Sequence, residues 1–345
     1  MKNNGLFIIG TRPEIIKTYP LINALEADVM FTGQHFDKNM SEIFFNLLNK
    51  SSVVQINSKY TNLSHNSISK NIYNKVEELN PEYIVVQGDT NSTLYGAIGA
   101  KYAKKKLFYL ESGLRSGDLG QIEEYNRFLV SKLADINFCN HPSNINNLKI
   151  EGINIKNIHL SGSTVFASLA PIINRIKIEN NLPLYNDFIL LTLHRPENTD
   201  NEFKLLNKLD FLNKLGEKIL FVTHPRVFKN VNKNKFKKFE NIEISNPMDY
   251  IEFIKHVISA KFIISDSGGL QEESQILQKI LIIPRKYTER PELLNGYNFL
   301  AKNNNELFSL SKKALKNKLI TKEEGLFYGD EKVIKNIVAK IKSSI

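Results

Sequence analysis

Three short motifs carry acids in a pattern that suits proton transfer. Asp89 stands in Gln87-Gly-Asp-Thr90, Glu111 opens Glu111-Ser-Gly-Leu-Arg-Ser-Gly-Asp118, and Glu123 opens Glu123-Glu-Tyr-Asn-Arg127. Several carboxylates gathered at one site can act as acid and base by turns. Two of the seven histidines, His194 and His224, each have an arginine close by, in His194-Arg195 and His224-Pro-Arg226. That pairing fits a phosphate contact or acid/base work better than packing. Ser267-Gly268-Gly269 opens a helical pattern, where free backbone N–H groups and the positive dipole end suit a diphosphate, and Glu273 lies one turn inside, within reach of ribose hydroxyls. Gly10-Thr-Arg12-Pro-Glu14, with Lys17 one turn on, reads as an anion-facing loop with Pro13 at the first helical position. Taken singly, Asp89 or Thr90 reads as a helix cap and the glycine pair as a tight turn.

Arginine usage sharpens the choice. Only eight of the 46 basic residues are arginines, and lysine replaces arginine well on a solvated face but not where a rigid fork grips a carboxylate or phosphate. All but Arg175 fall inside or beside the motifs above, Arg290 in Thr288-Glu-Arg-Pro-Glu292 among them.

The elements that must position these residues alternate between short apolar runs and helix-period segments. Predicted strands are Leu6–Ile9, Val29–Thr32, Val53–Ile56, Tyr83–Val86, Leu107–Leu110 and Ile136–Cys139, and in a second series Phe188–Leu193, Ile219–Val222, Ile242–Ile244, Phe262–Ile264 and Ile280–Ile283. Helical patterns between them, such as Pro13–Leu25, Asn39–Leu48 and Ser92–Lys104, make each series a parallel sheet with crossover helices. The fold expected is therefore α/β, with two Rossmann-like domains over 1–165 and 166–330 and a C-terminal helix in 331–345 that packs back on the first. The motifs above follow predicted strands, Glu123–Arg127 by way of Glu111–Asp118, at the edge where such sheets bind ligands. Neither Gly-x-Gly-x-x-Gly nor Gly-x-x-x-x-Gly-Lys-Ser/Thr occurs, so dinucleotide and P-loop chemistry lose ground.

Composition narrows the class further. The 345 residues exceed one ordinary core, and no apolar run approaches the eighteen or so residues of a membrane helix. The net charge of +10 is spread through amphipathic segments, which argues against a nucleic-acid partner. A lone cysteine, Cys139, forms no internal disulfide or cysteine zinc site, and with no signal-peptide pattern the expected compartment is the cytoplasm.

Together with Gly33-Gln-His35, these motifs stand in an order that resembles the non-hydrolysing UDP-N-acetylglucosamine 2-epimerases, from about Gly5 to Gly329. The resemblance implies a GT-B-like fold with the active site in the interdomain cleft, interconversion of UDP-GlcNAc and UDP-ManNAc, no cofactor or metal, and a homodimer. It also implies catalytic roles for Asp89, Glu111, Glu123 and His194. The UDP-binding positions it implies are Arg12, Lys17, Arg127, His224, Ser267, Gly268, Gly269, Glu273 and Arg290. A hydrolysing 2-epimerase, an epimerase of a modified UDP-HexNAc and a GT-B hexosyltransferase are the alternatives that share much of this pattern.

Overall fold

The computed structural model describes residues 5–33, 48, 53–55, 65–179, 182–183, 187–294, 296–319, 329–330 and 332–345. Gln34, His35 and the helix expected over 39–48, apart from Leu48, lie outside them, as do the side chain of Arg12 and residue 56 of the third predicted strand. The chain divides into two compact units, Met1–Ala170 with Tyr328–Ile345, and Pro171–Phe327. Each is an α/β unit of Rossmann type.

In the first unit the strands β1 (Gly5–Ile9), β2 (Asp28–Phe31), β3 (Val53–Gln55), β4 (Tyr83–Gln87), β5 (Lys106–Leu110), β6 (Ile136–Cys139) and β7 (Ile158–Leu160) form one sheet in the order 3-2-1-4-5-6-7. All its pairings are parallel. The helices α1 (Arg12–Leu25), α2 (His65–Leu79), α3 (Asn91–Tyr102), α4 (Ile122–Leu133) and α5 (Pro142–Ile150) follow strands as crossovers. A sheet covered on both faces needs strands apolar on both sides, which is why Gly5-Leu-Phe-Ile-Ile9 is buried throughout. On one face Leu6, Ile8, Ile84, Val86, Leu107 and Tyr109 pack with Ile72, Val76, Ala97, Ala100 and Val130 of the helices. Small residues in α3 bring it close to its neighbours: a Cβ at Gly99 would stand 2.7 Å from the Ile72 side chain.

The second unit repeats the plan with β8 (Ile189–Thr192), β9 (Ile219–Val222), β10 (Ile242–Ser245), β11 (Ile263–Ser265), β12 (Leu281–Ile283) and β13 (Asn298–Leu300), ordered 10-9-8-11-12-13 and wholly parallel. After α6 (Val165–Glu179), which runs across the division between the units, come α7 (Pro196–Thr199), α8 (Glu202–Asn213), α9 (Pro225–Asn230), α10 (Tyr250–Ser259), α11 (Gly268–Ile276) and α12 (Asn304–Leu315). The last helix, α13 (Val333–Ser344), packs against α1 in the first unit through a face that buries Val333, Ile337 and Ile341. Two strands were not foreseen: Ile158-His-Leu160 and Asn298-Phe-Leu300 are three-residue edge strands with a polar residue each, too short for an apolar run.

In both sheets the strand order reverses between the first and fourth strands, β1/β4 in one and β8/β11 in the other. At such a switch point the following helices run to opposite faces and leave a crevice beyond the strand ends.

Candidate active site

The switch point of the first unit is organised by a carboxylate that sequence reasoning quoted but did not single out. Glu14, in the first turn of α1, reaches back to the backbone N–H groups of Gly10 (2.5 Å) and Thr11 (3.0 Å) and accepts from the Thr90 hydroxyl (2.6 Å). The signal for it is Thr11-Arg-Pro-Glu14, a capping-box spacing. Glu14 thus staples the β1–α1 loop to the β4–α3 loop. Gly10 is needed there, because a Cβ would overlap Ser92 at the start of α3. Burial pushes the Glu14 carboxyl up to about 7, against the lowering effect of the Thr90, Gly10 and Thr11 hydrogen bonds.

Asp89 and Glu111 follow the ends of β4 and β5, and each is held by a cation from elsewhere in the unit. The Arg127 fork binds Asp89 Oδ2 through Nε (3.0 Å) and Nη2 (2.5 Å), while its Nη1 binds Glu124 (2.5 Å). Glu124 in turn accepts from the N–H groups of Ser116 and Gly117. Arg127 is 2% exposed and Asp89 33%, so the acid faces out and the arginine stands behind it. Glu111 is buried and accepts from Lys17 Nζ (2.6 Å) and Gln87 Nε2 (2.6 Å). Its backbone lies in the left-handed region at φ 60, a strained conformation for a non-glycine residue that tends to mark functional positions. The side chain of Glu123, half-buried in the first turn of α4, makes no hydrogen bond or ion pair among the described residues. The three acids therefore differ: two are locked, one is not.

In the second unit the switch point is built around Asp266, which is fully buried after β11. It accepts from the backbone N–H groups of His194 (3.1 Å) and Arg195 (3.1 Å) and from Asn198 Nδ2 (2.8 Å), and its Oδ1 lies 3.0 Å from His194 Nδ1. Burial alone would push this carboxyl up, but the His194 charge and the surrounding donors outweigh it and hold the group well below the usual carboxylate range. His224, at the N-cap of α9, brings its ring centroid to 6.0 Å from that of His194. The two histidines singled out in the sequence therefore share one site.

Ser267, Gly268 and Gly269 begin α11 beside this pair, half-exposed and with no side-chain cap bond at Ser267. A Cβ at Gly268 would overlap Glu289. That glutamate is itself clasped by Arg285 (2.9 Å) and Arg290 (2.9 Å), and Arg290 also reaches Glu272 (3.2 Å). Arg290 is thus buried within an ion-pair network beneath the glycine turn. Glu273 accepts from the Tyr250 hydroxyl at 2.5 Å. Near this network both Glu292 carboxylate oxygens are buried without a hydrogen-bond partner among the described residues, and burial pushes that group up to about 7.

Comparison with known proteins matches this arrangement to one family. The model of the UDP-N-acetylglucosamine 2-epimerase family matches residues 21–342. A UDP-N-acetylglucosamine 2-epimerase of Methanococcus maripaludis is 37% identical over 84% of this chain and 84% of its own. A UDP-2,3-diacetamido-2,3-dideoxy-D-glucuronate 2-epimerase of Pseudomonas aeruginosa is 32% identical over 94% of this chain and 95% of its own. The crystal structure of the Methanocaldococcus jannaschii UDP-GlcNAc 2-epimerase in complex with UDP-GlcNAc and UDP superimposes with a TM-score of 0.84, at 33% identity, covering 98% of this chain and 99% of that one. The two Rossmann-like units are accordingly of GT-B-like class, and the chain belongs to the UDP-N-acetylglucosamine 2-epimerase family of isomerases.

Proposed function

We propose that this protein interconverts UDP-GlcNAc and UDP-ManNAc without a redox cofactor, by eliminating UDP and adding it back. The observation that carries the reading is the pair of carboxylates, Asp89 and Glu111, each fixed by an internal cation at the carboxyl edge of one sheet. The C2 proton of a glycosyl nucleotide has no neighbouring carbonyl to acidify it, so departure of UDP must make it removable. As the C1–O bond breaks, its electron pair leaves with the diphosphate. A carboxylate takes the C2 proton, and that C–H pair forms the C1–C2 double bond of a glycal. Reprotonation from the opposite face by another acid, with return of the diphosphate oxygen to C1, gives the epimer.

Asp89, Glu111 and Glu123 are assigned to the C2 proton. His194, Arg12 and the Ser267-Gly268-Gly269 helix start meet the charge on the diphosphate, with His224 beside them and Glu273 on the ribose. Three of the residues expected at UDP also pair with acids of their own unit. Lys17 and Arg127 are assigned to holding Glu111 and Asp89, and Arg290 to holding the Gly268 turn through Glu289. The exposed face of α4 carries Ile122, Tyr125, Phe128 and Leu129. That apolar stripe supports the homodimer, whose partner would brace the helix bearing Glu123 and Arg127. Action on a soluble nucleotide sugar fits a cytoplasmic enzyme supplying cell-surface polysaccharide synthesis; among the described residues no helix is long and apolar enough to cross a membrane.

Incubation with UDP-GlcNAc in heavy water tests the reading. Deuterium at C2 of both nucleotide sugars is expected, with UDP-ManNAc and no free sugar as product. Free ManNAc with UDP would mark a hydrolysing enzyme, and transfer of an undeuterated sugar to an acceptor a glycosyltransferase. The Pseudomonas aeruginosa relative makes the diacetamido-uronate nucleotide the second substrate to try.

A further inference from the structure

We infer that Asp266 is a positioning residue that fixes His194 with its proton on Nδ1, so that Nε2 is the nitrogen that gives a proton to the departing diphosphate and takes it back. The inference rests on the proposed role of His194. Its structural basis lies wholly within the second unit.

The Asp266 carboxylate is saturated with donors. Oδ2 accepts from the N–H of Arg195 and from Asn198 Nδ2, while Oδ1 faces the N–H of His194 and, at 3.0 Å, His194 Nδ1. Its own carbonyl accepts from Arg195 Nε at 3.0 Å. An ionised carboxylate offers only acceptors, so Nδ1 must carry hydrogen in both the neutral and the charged ring. The same side chain thereby holds the backbone and the ring of His194, which fixes both the position and the tautomer. The ring is still 36% exposed, and Nε2 has no hydrogen-bond partner among the described residues. The charged and titratable groups around it are Asp266, Arg195 and the His224 ring.

In the forward direction the C1–O electron pair goes to the diphosphate, the Nε2 proton follows it, and the ring is left neutral with hydrogen on Nδ1. In return the neutral Nε2 takes the proton back as UDP re-adds. Were Nδ1 the acceptor, Nε2 would hold its proton in the neutral state and could not take the second half of the cycle.

The substitution Asp266→Asn preserves shape and reverses this logic. The single amide oxygen is drawn to the Arg195 and Asn198 donors, so the amide NH₂ faces Nδ1 and the neutral ring must place its hydrogen on Nε2. Nitrogen NMR of protein labelled in histidine, with the His194 signal identified by its loss in His194→Gln, reads the tautomer directly and needs no substrate. The wild-type ring is expected as the Nδ1–H form and the Asp266→Asn ring as the Nε2–H form. In the same variant kcat is expected to fall by about a hundredfold or more, with UDP affinity changed only a few-fold. A wild-type Nε2–H tautomer, or an Asp266→Asn enzyme with near-normal kcat, would overturn the inference, and the wild-type spectrum decides even if the variant does not fold. If the wild type shows the Nδ1–H ring but turns over no UDP-HexNAc, the epimerase reading fails while the role of Asp266 in setting the tautomer stands.

Discussion

Two buried carboxylates staple the first and fourth strand loops of the two sheets, and they meet opposite fates. Glu14 reaches from the helix after β1 across to Thr90, while Asp266 reaches from the end of β11 across to His194 and Arg195. Both accept two backbone N–H groups. Yet burial drives Glu14 up to about 7, whereas Asp266 is held well below the ordinary range. The difference is the third partner: a neutral hydroxyl with Asp89 nearby for Glu14, an imidazole and an amide for Asp266. One topology therefore supports a carboxyl that is easily neutralised beside the proposed proton-transfer acids and a permanent anion beneath the proposed diphosphate site. Burial alone fixes neither; the neighbouring donors decide.

The cation-held acids of the first unit offer the largest test of this contrast. Arg127→Met removes the fork shared by Asp89 and Glu124 and leaves Glu124 buried without this cation. The expected loss in urea unfolding is about 3 to 5 kcal/mol. A loss under about 1 kcal/mol would mean that water and the Ser116–Gly117 N–H groups already satisfy both acids.

Next comes Glu14→Gln. The folded-state value of Glu14, about 7, lies above its unfolded value of 4.5, so the stability linked to its proton is full below pH 4.5 and is lost as pH rises through 7. Glutamine stays neutral and keeps an acceptor for Gly10 and Thr11. The variant should match the wild type near pH 4.5 and exceed it by on the order of 3 kcal/mol at pH 8. Asp266 runs the other way: its contribution is present above pH 3.8 and fades as the solution becomes acid through its depressed folded value. Unfolding midpoints of the Glu14 pair that stay parallel from pH 4 to 8 would contradict the assignment.

Asp89→Asn and Glu111→Gln separate chemistry from binding between the same two regions. Each should cut epimerisation by more than about a hundredfold, as loss of a general acid or base does, while calorimetric UDP affinity, assigned mainly to the second unit, changes little. Near-normal C2 exchange in heavy water for both variants would reduce these acids to caps and ion-pair partners.

The same contrast marks what the sequence made legible. Repeated short apolar runs announce two parallel sheets, because strands buried on both faces have no other way to be written. Asp89, Glu111, His194 and Ser267 are legible because they follow such runs directly. Edge strands such as Asn298-Phe-Leu300 are not, since three residues with one polar member carry no period. Glu14 and Glu124 stand within the motifs and Asp266 just before Ser267, but the sequence is silent about their roles. Whether an acid faces solvent or turns back to hold a loop depends on which backbone N–H groups lie behind it, and those come from segments far apart in the chain. Arg127 shows this most plainly: its scarcity marks it as important, and only its burial between Asp89 and Glu124 makes it a support.

The smallest expected effect isolates the hydroxyl that distinguishes the two staples. Thr90 caps α3 by accepting from the N–H of Thr93 at 3.2 Å, with the Thr93 hydroxyl 3.0 Å away, and it donates to Glu14 at 2.6 Å. Thr90→Val removes these bonds without changing shape. Loss of the cap should cost about 1 kcal/mol at any pH. The second loss depends on pH, because the hydroxyl favours the charged Glu14 over the neutral one. At pH 5, with Glu14 mostly protonated, only the cap is missed. At pH 8 the carboxylate is charged and has lost a donor, so the cost should grow by a further fraction of a kcal/mol to about 1 kcal/mol. In a Glu14→Gln background that increment should vanish, leaving a pH-independent cost for Thr90→Val. A double-mutant cycle run at both pH values measures the difference. An increment that survives in the glutamine background would place the pH-sensitive partner of Thr90 elsewhere, and Asp89, whose own charge raises Glu14, would be the group to test.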